Sequence, residues 1–420
     1  MKKKLTPINL YCLVSFISIF LLLICFFLSK GELIDNFFLY DTIDSGMDFF
    51  HSIEYTKGLL PYQDFNTLYP PLANLMFALL YYIIPREYSI LWPHDFQESV
   101  WMRTTSLDLR VHQAPFVIFL FFVILSILLF IFVVEYALKE YSVQSAKAIA
   151  CCMVFSYGMM YALERGNILF LIVTLCMMFV LLYKHENKWI REIAIILLAI
   201  AAGLKLYPAF LGVLLIRNKD FKLAIRAIIY GISTVVFPMF VFKEGLGGLK
   251  IWLNVVVNFS NKNMDKGTVW GNGFSNIMWR IANGIESCFG IEVDGSWFGV
   301  ASMMVAFLLL GCAMLLKEEW MSCLSIILAM MLYSPQADYV YVLILIPLLL
   351  FLKKENRFSK QNIIPYLAMI LMVLPLPIFY ERYISYPRYA LCHICICVLL
   401  FIILKNTICF LLEKCKGKSV

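Results

Sequence analysis

Apolar runs, many of them about 18 residues or longer, alternate with short polar breaks along the whole chain. They fall at roughly 8–28, 69–85, 116–138, 146–163, 167–183, 192–216, 224–242, 297–316, 320–336, 339–352, 363–380 and 388–412. A chain crossing lipid must satisfy its own backbone. The crossings are therefore helices, because barrel strands would be short and alternating. The pattern predicts an all-α, polytopic helical membrane protein of about twelve spans, give or take one. It reads as a single integral membrane domain over 1–420.

Two polar stretches are long, 29–68 and 243–296. Both mix glycines with aromatic and aliphatic residues, which predicts interfacial helices rather than free loops. The run 8–28 is too long for a signal-peptide core and no A-x-A-like site follows it, so it reads as a retained first span. Lys2, Lys3 and Lys4 then lie in the cytoplasm and 29–68 outside. Alternation places 243–296 outside, and 86–115 and the Arg165-Gly166-Asn167 turn inside. The basic clusters Arg217–Lys222, Lys353-Lys354 and Lys414–Lys418 fall inside, as charge bias requires. Lys184–Arg191 is also basic yet falls outside. Breaking 192–216 into two short helices returns it to the cytoplasm but disturbs the alternation elsewhere.

Composition agrees with this class: 62% of the 420 residues are hydrophobic, 15% are charged, and mean hydropathy is +0.82. The net charge of +7 sits in clusters between spans, not in a basic stripe interleaved with aromatics, so no nucleic acid is expected as a partner. Most of the 13 cysteines lie inside apolar runs and read as small buried hydrophobes. Cys392-His393-Ile394-Cys395-Ile396-Cys397 holds one C-x-x-C, but no second pair matches it, so no metal site is expected. The chain has no G-x-x-x-x-G-K-[ST], H-E-x-x-H or G-x-S-x-G. It also shows no internal repeat of the kind that marks many transporters.

The densest candidate chemistry follows the first run: Asp41, Asp44, Asp48, Glu54 and Asp64, with His51 among them. Asp48 is flanked by Phe49 and Phe50, and a carboxylate at the edge of an apolar site can act as a general base. His51, three residues on, shares its helical face. The aspartates contain no D-x-D, so a metal-held nucleotide-sugar diphosphate is not supported. A lipid monophosphate balanced by lysine or arginine fits more easily. Lys205, in mid-run, is costly in lipid and so faces a polar cavity, as a phosphate counterion or as a structural partner for a carboxylate. Trp270-Gly-Asn272-Gly-Phe-Ser275-Asn276 and Arg280 form a glycine-bearing helix start suited to an anionic group. Arg382 and Arg388 are further candidates.

These motifs resemble the polytopic GT-C glycosyltransferases, most closely the bacterial alpha-1,2-mannosyltransferase-like family that uses polyprenyl-phosphate mannose. Gly46-Met-Asp48-Phe49 with Gly58-Leu-Leu-Pro61-Tyr62 looks like the family's first-loop aspartate and glycine-tyrosine turn. Tyr69-Pro70-Pro71-Leu72 with Phe77 looks like its Y-P-P-L motif. Ala202-Gly203-Leu-Lys205-Leu-Tyr207-Pro208 looks like its lysine-tyrosine-proline motif. Arg165-Gly166-Asn167 resembles its G-Q-x-N turn, with Arg165-Gly166 as a departure. Gly271–Ser275 to Arg280 resembles its N-Q-S…R segment, with a glycine where glutamine would be. Ser334-Pro335 resembles its S-P turn, but Asp338 and Tyr339 stand where histidines are expected.

The resemblance implies hexose transfer, with mannose as the sugar, from a polyprenyl-phosphate donor to a glycan or glycolipid hydroxyl. It implies inversion at C1, on the extracytoplasmic side of a bacterial cytoplasmic membrane. Asp48 would be the catalytic base. His51, Tyr62, Asp64, Tyr69, Asn167, Lys205, Tyr207, Asn272 and Arg280 would bind substrate, with no metal and no cofactor beyond the lipid-linked donor. A polysaccharide polymerase or ligase, and a lipid-linked-sugar flippase or transporter, are the competing readings.

Overall fold

A computed structural model of the chain describes residues 6–32, 45–89, 109–266, 273–333, 338–354, 358–378 and 386–417. Among these there is no strand. The helices are α1 (Pro7–Leu28), α2 (Met47–Glu54), α3 (Pro71–Ile83), α4 (Gln113–Ala137), α5 (Val143–Val154), α6 (Tyr157–Glu164), α7 (Leu169–Leu182) and α8 (Lys188–Leu204). After a 3-10 turn (Tyr207–Gly212) and a short helix (Val213–Arg217) come α9 (Phe221–Met239), α10 (Gly247–Lys266), α11 (Phe274–Phe289) and α12 (Phe298–Leu315). Then follow α13 (Glu319–Tyr333), a 3-10 segment (Asp338–Ile344), α14 (Leu345–Lys354), α15 (Ile363–Val373) and α16 (Tyr386–Cys415).

A helix underlies every apolar run, but length does not carry each one across a bilayer. Among the described residues five helices are long and apolar enough: α1, α4, α9, α12 and Arg388–Cys415 of α16. The α5–α6 pair passes only as a unit, bent by 55° between its halves. The other apolar helices are shorter than a straight crossing of about 20 residues.

Placement explains the shortness only in part. The long helices turn Phe20, Phe121, Ile228, Phe307 and Phe401 outward, where lipid receives them. Shortness goes with an inside place in α13, where every residue from Trp320 to Leu332 is buried, but not in α3, which leaves Leu79, Tyr82 and Ile83 exposed. A helix surrounded by protein can end in mid-bilayer, because neighbours satisfy its terminal backbone groups. Ser325 Oγ, for example, donates to the Leu309 carbonyl at 2.7 Å and ties α13 to α12.

Polar contacts gather at two ends. At one end Tyr183 donates to Glu319 at 2.5 Å, Lys184 pairs with Glu319 at 2.9 Å, Arg217 caps the Leu316 carbonyl at 2.7 Å and Tyr141 donates to the Leu352 carbonyl at 3.1 Å. At the other, Arg165 meets Asp48, Arg110 donates to the Ser45 carbonyl at 3.0 Å, and Glu244 accepts from the Tyr62 and Gln63 N–H groups at 2.9 and 2.8 Å.

This corrects the alternation read from the sequence. The described end of 86–115 and the Arg165 turn lie at the same end as the first loop, not opposite it. Two errors compensate. The run 69–85 leaves the Asp48 end at Tyr69, yet the chain is there again by Tyr88, whose ring centroid is 4.6 Å from that of His112. The run 192–216 breaks at Lys205, reaching the Asp48 end there and returning to the opposite end by Arg217. Lys184–Arg191 then shares an end with Arg217, Lys353 and Lys354.

Candidate functional site

The site begins with a turn docked onto a helix start. Gly46 caps α2 at φ +73, and its N–H donates to the Glu164 carbonyl at 2.7 Å. The Asp48 N–H donates to the Arg165 carbonyl at 3.0 Å. Gly166 permits this approach: it sits at φ +66, and a Cβ there would stand 2.9 Å from Phe49 Cβ. Asp48 lies in the first turn of α2, where the helix dipole favours a negative charge.

Both carboxylate oxygens of Asp48 are engaged. Oδ1 accepts from Arg165 Nη2 at 2.9 Å, and Oδ2 accepts from Asn167 Nδ2 at 2.7 Å. The Asn167 amide is itself oriented, since its Oδ1 accepts from the Leu169 N–H at 3.0 Å. Phe49 and Phe50 fill the apolar side, with Phe77, Phe119 and Phe122 ring to ring against Phe49. The side chains of Arg165 and Asp48 keep 15% and 20% exposure.

Burial by itself would raise the Asp48 carboxyl. The Arg165 charge, the hydrogen bonds from Arg165 and Asn167, and the more distant Lys205 charge outweigh it and hold the group below the usual carboxylate range. His51, one helical turn on, is buried and stacks on Tyr55 with centroids 5.8 Å apart. Burial and the Arg110 charge push it down to about 3, against the opposing pull of Asp48, so it is neutral at ordinary pH.

Lys205 is the second cation whose charge reaches Asp48. It ends α8 in an extended conformation, φ −148 and ψ 139. Gly203 just before it lets the neighbouring helices close in, because a Cβ there would lie 2.6 Å from Thr234 Cβ and 2.8 Å from Leu72 Cδ2. The Lys205 ammonium stands 5.8 Å from the Tyr69 ring centroid and 5.2 Å from that of Tyr339. Among the described residues it forms no hydrogen bond and no ion pair. The buried Tyr207 hydroxyl likewise has no partner.

The structure thus brings together Asp48, His51, Tyr69, Asn167 and Lys205, with Tyr207 two residues beyond. It separates others. Tyr62 is buried in a satellite cluster with Met239, Phe242 and Trp252, where it fastens the first loop, and Asp64 beside it is exposed. Arg280 contacts other residues: Nη1 lies 3.2 Å from His393 Nδ1, and the guanidinium stands 4.4 Å over the Tyr389 ring. Arg388 caps the Leu374 and Met372 carbonyls at 3.0 and 3.1 Å, a structural use. Asn272, Asp41, Asp44, Arg382 and Ser334-Pro335 lie outside the described residues. Cys392 and Cys395 are buried and Cys397 is exposed.

Two site residues were missing from the sequence prediction. Arg165 stood out only as a departure from a motif, and alternation had set it on the wrong side. Tyr339 stood out only as the occupant of a position where histidine was expected.

A model of glycosyltransferase family 87 matches residues 67–335. No curated protein and no solved structure matches the chain. The matched range takes in Tyr69, Arg165, Asn167, Lys205, Tyr207, Asn272 and Arg280, whereas Asp48, His51, Tyr62 and Asp64 lie upstream of it. The hydrogen bonds from Arg165 and Asn167 tie Asp48 to the matched part.

Proposed function

The chain belongs to glycosyltransferase family 87, and from that premise we propose that it moves a hexose, mannose in the first instance, from a polyprenyl-phosphate donor to a hydroxyl of a glycan or glycolipid. The observation that carries this reading is the combination of a clamped carboxylate, Asp48, with an ammonium whose charge reaches it, Lys205, that has no ion-pair partner of its own among the described residues.

Asp48 takes the proton of the acceptor hydroxyl as its oxygen bonds to C1. The C1–O bond to the phosphate breaks, and its electron pair leaves with the phosphate. Attack opposite the leaving group inverts C1. Lys205 balances the charge that develops on the phosphate, and its aromatic surround keeps water away so that this interaction is strong. The Tyr207 hydroxyl is a further donor at that side. Arg280, over the Tyr389 ring and beside His393, serves the donor or acceptor.

The end carrying Lys184–Arg191, Arg217–Lys222 and Lys353-Lys354 is cytoplasmic by charge bias. The Asp48 end therefore faces outward across the cytoplasmic membrane of a bacterium. In this topology α3 lies in the outer interface, 192–216 makes two passes, and the total stays at about twelve.

The test is transfer from a synthetic polyprenyl-phosphate mannose by the purified protein in lipid, wild type beside Asp48→Asn. Loss of about 10²–10⁴-fold in the variant, with its fold intact, is expected for a missing general base. Undiminished turnover in Asp48→Asn removes the base assignment. Silence of the wild type across a panel of lipid-linked hexoses removes the donor assignment, and a flippase would tolerate the substitution.

A further inference from the structure

We propose that Arg165 is the positioning residue of the transfer: a fixed counterion that keeps the Asp48 carboxylate ionised and aimed, and not a ligand for the donor phosphate. This rests on the reading of Asp48 as the base.

Arg165 holds Asp48 twice. Its carbonyl accepts the Asp48 N–H at 3.0 Å, and its guanidinium donates to Oδ1 at 2.9 Å. The carboxylate is therefore fixed at both its backbone and its tip by one residue. Asn167 completes the clamp on Oδ2 at 2.7 Å. A carboxylate oxygen has two lone pairs, so one donor on each leaves each able to accept a substrate proton. The clamp fixes direction without closing the base.

The other groups around Asp48 do not replace Arg165. On its own helix are His51, neutral down to about 3, Tyr55, and the carboxyl of Glu54. From the other elements come the phenols of Tyr69 and Tyr339, the Lys205 ammonium, and Glu164, which accepts from Ser45. Among the described residues Arg165 makes the one ion pair with Asp48, and Lys205 makes none. The two cations thus divide the work. Arg165 neutralises the base and cannot lose its proton. Lys205 remains unpaired, available to the phosphate. Were Arg165 spent on the phosphate, Asp48 would face Phe49, Phe50 and Phe77 with no charge in contact, and burial would favour its protonated form.

The experiment compares wild type, Arg165→Gln, Arg165→Lys and Asp48→Asn for kcat, donor KM and the pH dependence of transfer, each after checking for a monodisperse peak in detergent. For Arg165→Gln the expected result is a kcat lower by about 10- to 100-fold, as for an acid–base group misplaced by an ångström. Donor KM should stay within about twofold, and the acid limb should lie higher by about 1–3 in pH. Arg165→Lys, which keeps the charge but not the fork, should recover part of kcat and hold the limb near wild type.

An acid limb unmoved in Arg165→Gln, with Asp48→Asn inactive, overturns this proposal and leaves the base assignment standing. A raised donor KM at unchanged kcat assigns Arg165 to the phosphate and also overturns it. Activity in Asp48→Asn overturns the base assignment itself. If Arg165→Gln does not fold, Arg165→Lys decides through the same split between kcat and donor KM.

Discussion

Replacing Gly166 by alanine tests whether the docking of the 164–167 turn on α2 makes the site. The new Cβ would stand 2.9 Å from Phe49 Cβ, 3.0 Å from the Gly46 carbonyl oxygen and 3.2 Å from Gly46 Cα. These are backbone or stem atoms that cannot swing aside. The residue must also hold φ +66, a left-handed conformation. That conformation costs about 1–2 kcal/mol for a residue with a side chain. Overpacking adds about 1–3 kcal/mol, so destabilisation of about 2–5 kcal/mol is expected. The turn can relieve the clash only by lifting from α2. That stretches the Gly46–Glu164 and Asp48–Arg165 backbone hydrogen bonds, now 2.7 and 3.0 Å, and carries Arg165 and Asn167 away from Asp48. A displacement of about 1 Å lowers turnover by about 10²-fold. The assay is thermal unfolding in detergent together with the transfer rate, beside Gly311→Ala on α12, where nothing lies within 4 Å of an added Cβ. The control should keep wild-type activity and melt within about 1 kcal/mol of it. If Gly166→Ala melts and transfers like the control, the contact does not hold the site together and the reasoning fails.

Lys205→Met keeps the stem packed between Tyr69 and Tyr339 but removes the charge. Because no ion pair is broken, melting should hold or rise while turnover falls about 10²–10³-fold; a lower melting temperature with turnover preserved would make Lys205 a structural cation. His51 sets a pH dependence of stability: the unfolded chain protonates it near 6.5, the fold not until about 3, so the unfolded state binds more protons in between and stability falls on acidification through that window. From pH 6.5 to 5 the loss is at most about 2 kcal/mol and should disappear in His51→Gln; parallel declines in wild type and variant would show that another group is responsible.

The helices were legible because apolar period and length report burial in lipid or protein without regard to partner. Their sidedness was not. Alternation assumes that every apolar run crosses once, and two runs break that rule. Tyr69-Pro70-Pro71 starts a helix whose continuation meets His112 at the same end. Lys205 ends α8 in an extended residue, so one run makes two passes. Nothing local distinguishes a 13-residue helix whose chain returns to the end it left from a short span, because both carry apolar residues on most faces. Asp48 and Lys205 could be picked out as costly polar groups beside apolar ones, and Asn167 through the resemblance of its turn to a family motif. Arg165 could not, since its meaning lies in a partner 117 positions earlier. Tyr62 is expected at the substrate only because Gly58-Leu-Leu-Pro61-Tyr62 resembles a family turn. In the fold its N–H donates to Glu244 and its ring packs among Phe242 and Trp252.

That separation of 117 positions also orders the birth of the protein. At about 5–20 residues per second, roughly 6–23 s pass between synthesis of Asp48 and synthesis of Arg165. During that interval the first loop already stands beyond the first span, its carboxylate met only by water. The grip arrives after α4 and the bent α5–α6 pair have entered the membrane, and the ammonium of Lys205 comes later still. A ribosome stalled before position 164 therefore displays Asp48 on a tether with neither Arg165 nor Asn167 to hold it. Turnover can begin only when the insertion machinery has released the middle of the chain.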